Sequence, residues 1–166
     1  MSGIEIRTLI FDDWERVRSI YLEGIATGQA TFETRAPSWA DWDSAHSLAP
    51  RLVATSEEHV IGWAAVSPVS SRAVYAGVVE VSVYVGKDSR GKGVGRELLE
   101  SLVVESERDA IWTLQASLFP ENVVSIALHK SCGFREVGRR ERIGKMNGVW
   151  RDTILLERRS KGVECD

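Results

Sequence analysis

The spacing of apolar residues changes repeatedly along the chain, and each change marks an element boundary. Ile4, Ile6 and Thr8 alternate with Glu5 and Arg7, the period of a strand. From Trp14 the spacing lengthens to Val17, Ile20, Tyr21 and Ile25, which predicts an amphipathic helix capped by Asp12 or Asp13. GQATFETRAPSW has no period and reads as loop. Ser38 then caps a short second helix through Trp39, Trp42 and Leu48, stopped by Pro50. RLVATS and HVIGWAAVS flank Glu57-Glu58 as a hairpin. Val78 to Val85 is a further strand, with Val79, Val81, Val83 and Val85 on one face and Glu80, Ser82 and Tyr84 on the other.

The pattern breaks at VYVGKDSRGKGVGREL. A β-branched run stops, Gly91, Gly93 and Gly95 fall on alternate positions, and Val94, Leu98, Leu99, Leu102 and Val103 then recur at helical spacing. IWTLQAS is another strand, and ENVVSIALHKSCG is a helix closed by Gly133 in a left-handed cap. FREVGRR and VWRDTILLE form a last hairpin around Met146-Asn147-Gly148. The order β-α-α-β-β-β-α-β-α-β-β predicts a mixed α/β (α+β) sheet covered on both faces. No repeat or linker interrupts it, so one domain over residues 1–166 is expected, with 159–166 as a flexible tail.

Composition narrows the classes. With 166 residues, 43% hydrophobic and 27% charged, the chain can bury a core without disulfides or metals. A formal charge of -3 gives no nucleic-acid footprint, and no apolar run approaches the roughly 20 residues of a membrane span. The N-terminus MSGIEIRTLIFDDW lacks a basic start and a long apolar stretch, so a cytoplasmic protein is expected. Cys132 and Cys165 have no CxxC or His-rich neighbour, which argues against a disulfide or a metal site.

The glycines invite chemistry. Without Cβ atoms, a loop feeding a helix N-terminus can aim its N–H groups at an oxyanion, and Arg90, Lys92 and Arg96 add full charges. Phosphate binding and a plain glycine-rich turn with a basic rim both remain open on spacing alone. A P-loop is excluded because Gly95 is followed by Arg96 and Glu97. A dinucleotide fold is disfavoured because three strands come before the one that feeds the glycines, and no acid ends the strand after them.

RGKGVG, directly after VSVYV and opening a helix, resembles the acyl-CoA pyrophosphate loop of the GNAT superfamily of N-acetyltransferases, and ENVVSIALHKSCGF resembles that superfamily's second signature. TFETRAPSW, RAVYAGVVEVSVYV, LHKSCGF and GKMNGVWRD are similar to the phosphinothricin and methionine-sulfoximine N-acetyltransferase branch, which includes relatives acting on arsinothricin. Where most of the superfamily carries Tyr after the signature Asn, this chain has His129, as that branch does.

The resemblance implies a single-domain, mostly antiparallel sheet of about seven strands with about four helices. It implies acetyl-CoA as co-substrate and direct transfer to the amine of a small amino-acid analogue, with no nucleic-acid or membrane partner. Glu80 would be the general base, against the bland reading of a solvated strand carboxylate. His129 would protonate the departing thiolate or orient substrate. Val83, Tyr84 and Val85 would pair with the pantetheine arm, and Arg90, Gly91, Lys92, Gly93, Val94, Gly95 and Arg96 would hold the pyrophosphate. Asn122 and Ser125 would touch the same arm, or serve only as an ordinary helix cap. Phe32, Arg72, Ala73, Val74 and Tyr75 would bind the acceptor, and the terminal hairpin with Trp150 suggests a homodimer. A GNAT enzyme for another amine and a CoA-binding module without catalysis are the alternatives.

Overall fold

A computed structural model describes residues 3–163. The chain runs β1 (Glu5–Thr8), α1 (Trp14–Ala26), α2 (Trp39–Ala45), β2 (Arg51–Ser56), β3 (His59–Pro68), β4 (Val78–Val85), α3 (Val94–Arg108), β5 (Thr113–Leu118), α4 (Val123–Ser131), β6 (Arg135–Met146) and β7 (Val149–Arg159). This is the order that the periodicity predicts. The strands form one sheet in the order β1-β2-β3-β4-β5-β7-β6. Every neighbouring pair is antiparallel except β4 with β5, which are parallel.

Alternation along the strands feeds two cores. On one face Leu52, Ala54, Ala64, Val79 and Val81 pack against Val94, Leu98, Leu99 and Leu102 of α3. On the other, Val53, Trp63 and Ala65 pack against Val17 and Ile20 of α1 and Trp42 of α2. Burying each Val, Leu or Ile side chain among them is worth about 1.5–3 kcal/mol, so helices on both faces stabilise the central strands, which read as nearly continuous apolar runs. None of the described helices is long and apolar enough to cross a membrane.

Three local expectations need correction. Asp13 precedes α1, but its carboxylate accepts from the Arg7 guanidinium at 2.8 Å and from the Ile10 N–H at 2.9 Å, leaving no side-chain cap on the helix. The charged partner outcompetes the helix end. α2 is capped by Ser38 as expected, yet it stops at Ala45, and Leu48 is 86% exposed. The chain after residue 158 does not begin as a loose tail. Arg159 closes β7, and Ser160 is 3% exposed with its hydroxyl donating to Glu107 at 2.9 Å. Residues 164–166, and with them Cys165, lie outside the described residues.

Candidate active site

β4 and β5 are paired only from Val78 to Glu80 and from Thr113 to Gln115, although β4 continues to Val85 and β5 to Leu118. Beyond Glu80 the two strands part. The sheet therefore opens a wedge in its middle, and the edge of Val81–Val85 that faces away from β3 is left to whatever enters. Two cavities occupy the wedge and share Val83, Tyr84, Ala30, Asn122 and Ser125 in their walls.

The first is a glycine cleft of about 600 Å³, lined by Val83–Val85, Arg90, Gly91, Gly93, Val94, Gly95, Arg96, Asn122, Ser125 and Leu128. Gly91 and Gly93 have φ of 73° and 86°, the left-handed region, and Gly93 is the N-cap residue directly before α3. A side chain there would strain the turn that presents the first N–H groups of α3 to the cleft. Arg90 and Arg96 flank them, Arg90 donating to the Val85 carbonyl at 3.3 Å and Arg96 paired with Glu100 at 2.8 Å. Lys92 is not part of the lining. Its ammonium donates to the Asp88 carbonyl at 2.9 Å and turns along the outside of the turn.

Asn122 stands where the two cavities meet. Its Oδ1 accepts from the Ser125 N–H at 3.3 Å, the helix-cap role, while its Nδ2 donates to the Gln29 carbonyl at 3.3 Å. The helix-cap reading holds, and the capped α4 places Asn122 and Ser125 in the walls of both cavities.

The second is a carboxylate chamber of about 370 Å³. Glu80 projects into it among the hydroxyls of Ser67, Ser82, Ser117 and Thr153, with Phe32, Phe119, Tyr21, Tyr84 and His129 around them and Glu33 completing the wall. Burial raises the Glu80 pKa above the ordinary carboxylate value, while hydrogen bonds from Ser117 and the charge of Arg140 pull the other way. A partly desolvated carboxylate of this kind is a stronger base than one in water. His129 is 3% exposed, and its Nδ1 lies 2.7 Å from the Ser125 carbonyl. A carbonyl only accepts, so Nδ1 carries the proton and Nε2 the lone pair. Burial lowers its pKa, so the imidazole is neutral at pH 7. Tyr84 lies against α1 because Gly24 has no Cβ, which would come within 2.7 Å of the ring. Burial pushes its phenol pKa far up, so it stays a neutral donor.

Phe32 is in the chamber wall, edge-on to Phe119 at 4.8 Å. Arg72, Ala73, Val74 and Tyr75 are not in the lining of either cavity. They form an exposed turn before β4, with the Arg72 guanidinium over the Tyr75 ring at 5.6 Å. Sequence reasoning missed Tyr21, Thr31, Ser117, Phe119 and Thr153. None carries a local signal: Ser117 and Thr153 sit on strands that hold other polar residues, TLQASL and VWRDTILLERR, and Tyr21, Thr31 and Phe119 read as ordinary helix or loop positions.

The profile of the acetyltransferase (GNAT) family matches residues 8–134. A phosphinothricin N-acetyltransferase of Alcaligenes faecalis is 31% identical over 159 residues, 92% of this chain and 81% of that protein. An L-methionine sulfoximine/L-methionine sulfone acetyltransferase of Pseudomonas aeruginosa is 32% identical over 134 residues, 80% of this chain and 73% of that protein. A GNAT superfamily phosphinothricin acetyltransferase from Sinorhizobium meliloti, solved in complex with AcCoA, superposes with a TM-score of 0.84 at 30% identity, covering 100% of this chain and 97% of that one.

Proposed function

The chain belongs to the acetyltransferase (GNAT) family, and on that premise we propose that it transfers the acetyl group of acetyl-CoA to the α-amine of a small amino acid bearing a tetrahedral polar group at its far end, the phosphinothricin and methionine sulfoximine type. The observation that carries this reading is the position of Glu80. It is the last residue of β4 paired to β5, so its carboxylate sits at the root of the wedge, in the wall of the chamber. Detoxification of such analogues is the cellular role that follows.

In this mechanism the glycine turn and the α3 N-terminus hold the pyrophosphate, an anion that the helix dipole favours by about 0.3–1 kcal/mol. The pantetheine arm pairs with the open edge at Val83–Val85, and an N–H of that edge polarises the thioester carbonyl. Glu80 takes a proton from the acceptor ammonium through a water, and the neutral amine attacks the carbonyl carbon. The C–N bond forms, the C–S bond breaks with its electron pair leaving on sulfur, and the second proton shed by the attacking nitrogen passes through water to the departing thiolate. His129, neutral with its proton on Nδ1, orients the acceptor through Nε2 rather than protonating the thiolate. The exposed Val137, Ile143, Val149 and Trp150 of the terminal hairpin support a homodimer.

One feature favours a rival acceptor. Among the described residues the chamber lining holds two carboxylates, Glu80 and Glu33, and no lysine or arginine, which suits a cationic amine lacking a carboxylate. A thiol-release assay with acetyl-CoA and phosphinothricin, methionine sulfoximine, methionine sulfone, arsinothricin, spermidine and short peptides separates the readings. Turnover with the amino-acid analogues is expected; turnover with spermidine or peptides alone contradicts it.

A further inference from the structure

An α-amino acid brings its carboxylate wherever its amine goes, and an unpaired carboxylate buried beside Glu80 and Glu33 would be costly. A cation must therefore reach the chamber from outside its lining. The edge strand β6 offers one. Arg140 is the register partner of Thr153 on β7, and residues opposite one another on antiparallel strands project from the same face. The Thr153 side chain is buried in the chamber wall, so Arg140 stands on the chamber's side of the sheet.

The neighbouring cations have partners of their own, although the Arg151 guanidinium also lies 3.9 Å over the Phe119 ring of the chamber wall. Arg139 pairs with Asp152 at 2.6 Å, Arg142 and Lys145 lie over the Trp150 ring at 5.7 Å and 5.6 Å, and Arg151 donates to Gln29 and Glu121. Arg140 is in none of the ion pairs of the described residues. Directly after it the ladder skips to Gly144, with Arg142 in the left-handed region at φ 49° and its N–H held by Asp152 at 2.7 Å. Bulges of this kind re-aim side chains beside active sites. The charge of Arg140 also acts, as the weakest of the influences on that carboxyl, to lower the Glu80 pKa.

We propose that Arg140 is the specificity residue that receives the acceptor's α-carboxylate, as a bidentate guanidinium pair, while Glu80 handles the amine. This rests on the amino-acid acceptor reading above. It gives the chamber a polarity, carboxylates at the amine end and a guanidinium at the carboxylate end, and it makes β6 the element that separates α-amino acids from other amines.

The test is steady-state kinetics of wild type, Arg140→Ala and Arg140→Lys with L-methionine sulfone and with its carboxamide. Arg140→Ala should raise KM for the acid by about 10- to 100-fold, the range carried by hydrogen bonds to charged groups, and leave KM for the carboxamide and for acetyl-CoA unchanged. Arg140→Lys should recover part of the loss, since it keeps the charge but not the fork. An equal effect on acid and carboxamide, or none on either, overturns the assignment while leaving the acceptor reading intact. A wild-type enzyme that acetylates spermidine and neither amino-acid compound overturns both.

Discussion

The glycine cleft and the carboxylate chamber share a wall at Tyr84 and Asn122, yet they are made of different material. The cleft is mostly main chain: an unpaired strand edge, two left-handed glycines and a helix N-terminus, all within residues 83–96, with Asn122 and Ser125 opposite. The chamber is side chains, drawn from α1, β3, β4, β5, α4, β7 and the loop after α1. On the proposed function, main chain recognises what every acetyl-CoA shares and side chains choose the acceptor, so substitutions in the chamber should change specificity without disturbing the donor.

That contrast can be broken most severely at Glu80. Glu80→Gln should lower turnover by about 10²- to 10⁴-fold, the usual contribution of a positioned base. The same substitution should raise the melting temperature at pH 7. Burial holds the folded pKa of Glu80 above its unfolded value, so protonated Glu80 favours the folded state at low pH and that contribution is lost as pH rises through the folded pKa. The neutral amide escapes the loss, so the gain in melting temperature should vanish at acid pH. In wild type, the acidic limb of kcat/KM should lie above the ordinary carboxylate range of about 4.3.

Gly93→Val attacks the other side. A β-branched residue at φ 86° costs about 1–3 kcal/mol, so acetyl-CoA affinity should fall roughly tenfold or more, with turnover at saturation much less affected. The smallest effect is expected at His129. His129→Asn keeps an N–H toward the Ser125 carbonyl and should cost less than about tenfold in kcat with an unchanged pH profile; a loss on the scale of Glu80→Gln would restore a proton-transfer role.

The same division decided what could be read from the chain. Val78–Val85 and the glycine turn are contiguous, so alternation and glycine spacing identify them. Element order follows for the same reason. The chamber is not contiguous: Phe119 meets Phe32, and Asn122 reaches Gln29, across most of the chain, and no local pattern encodes such contacts. Arg72 and Tyr75 were expected at the acceptor because the resembled branch carries a substrate-binding Arg and Tyr at those positions; the turn that holds them is in the lining of neither cavity. Leu48 continued a helical spacing that packing did not support, since nothing covers it.

The most direct test of the division is calorimetric titration of acetyl-CoA into Glu80→Gln. The account predicts an affinity within about twofold of wild type in an enzyme that has lost its turnover, because the base acts in the transition state and not in donor binding. An affinity as weak as that of Gly93→Val would contradict it, since the two cavities would then not be separable sites.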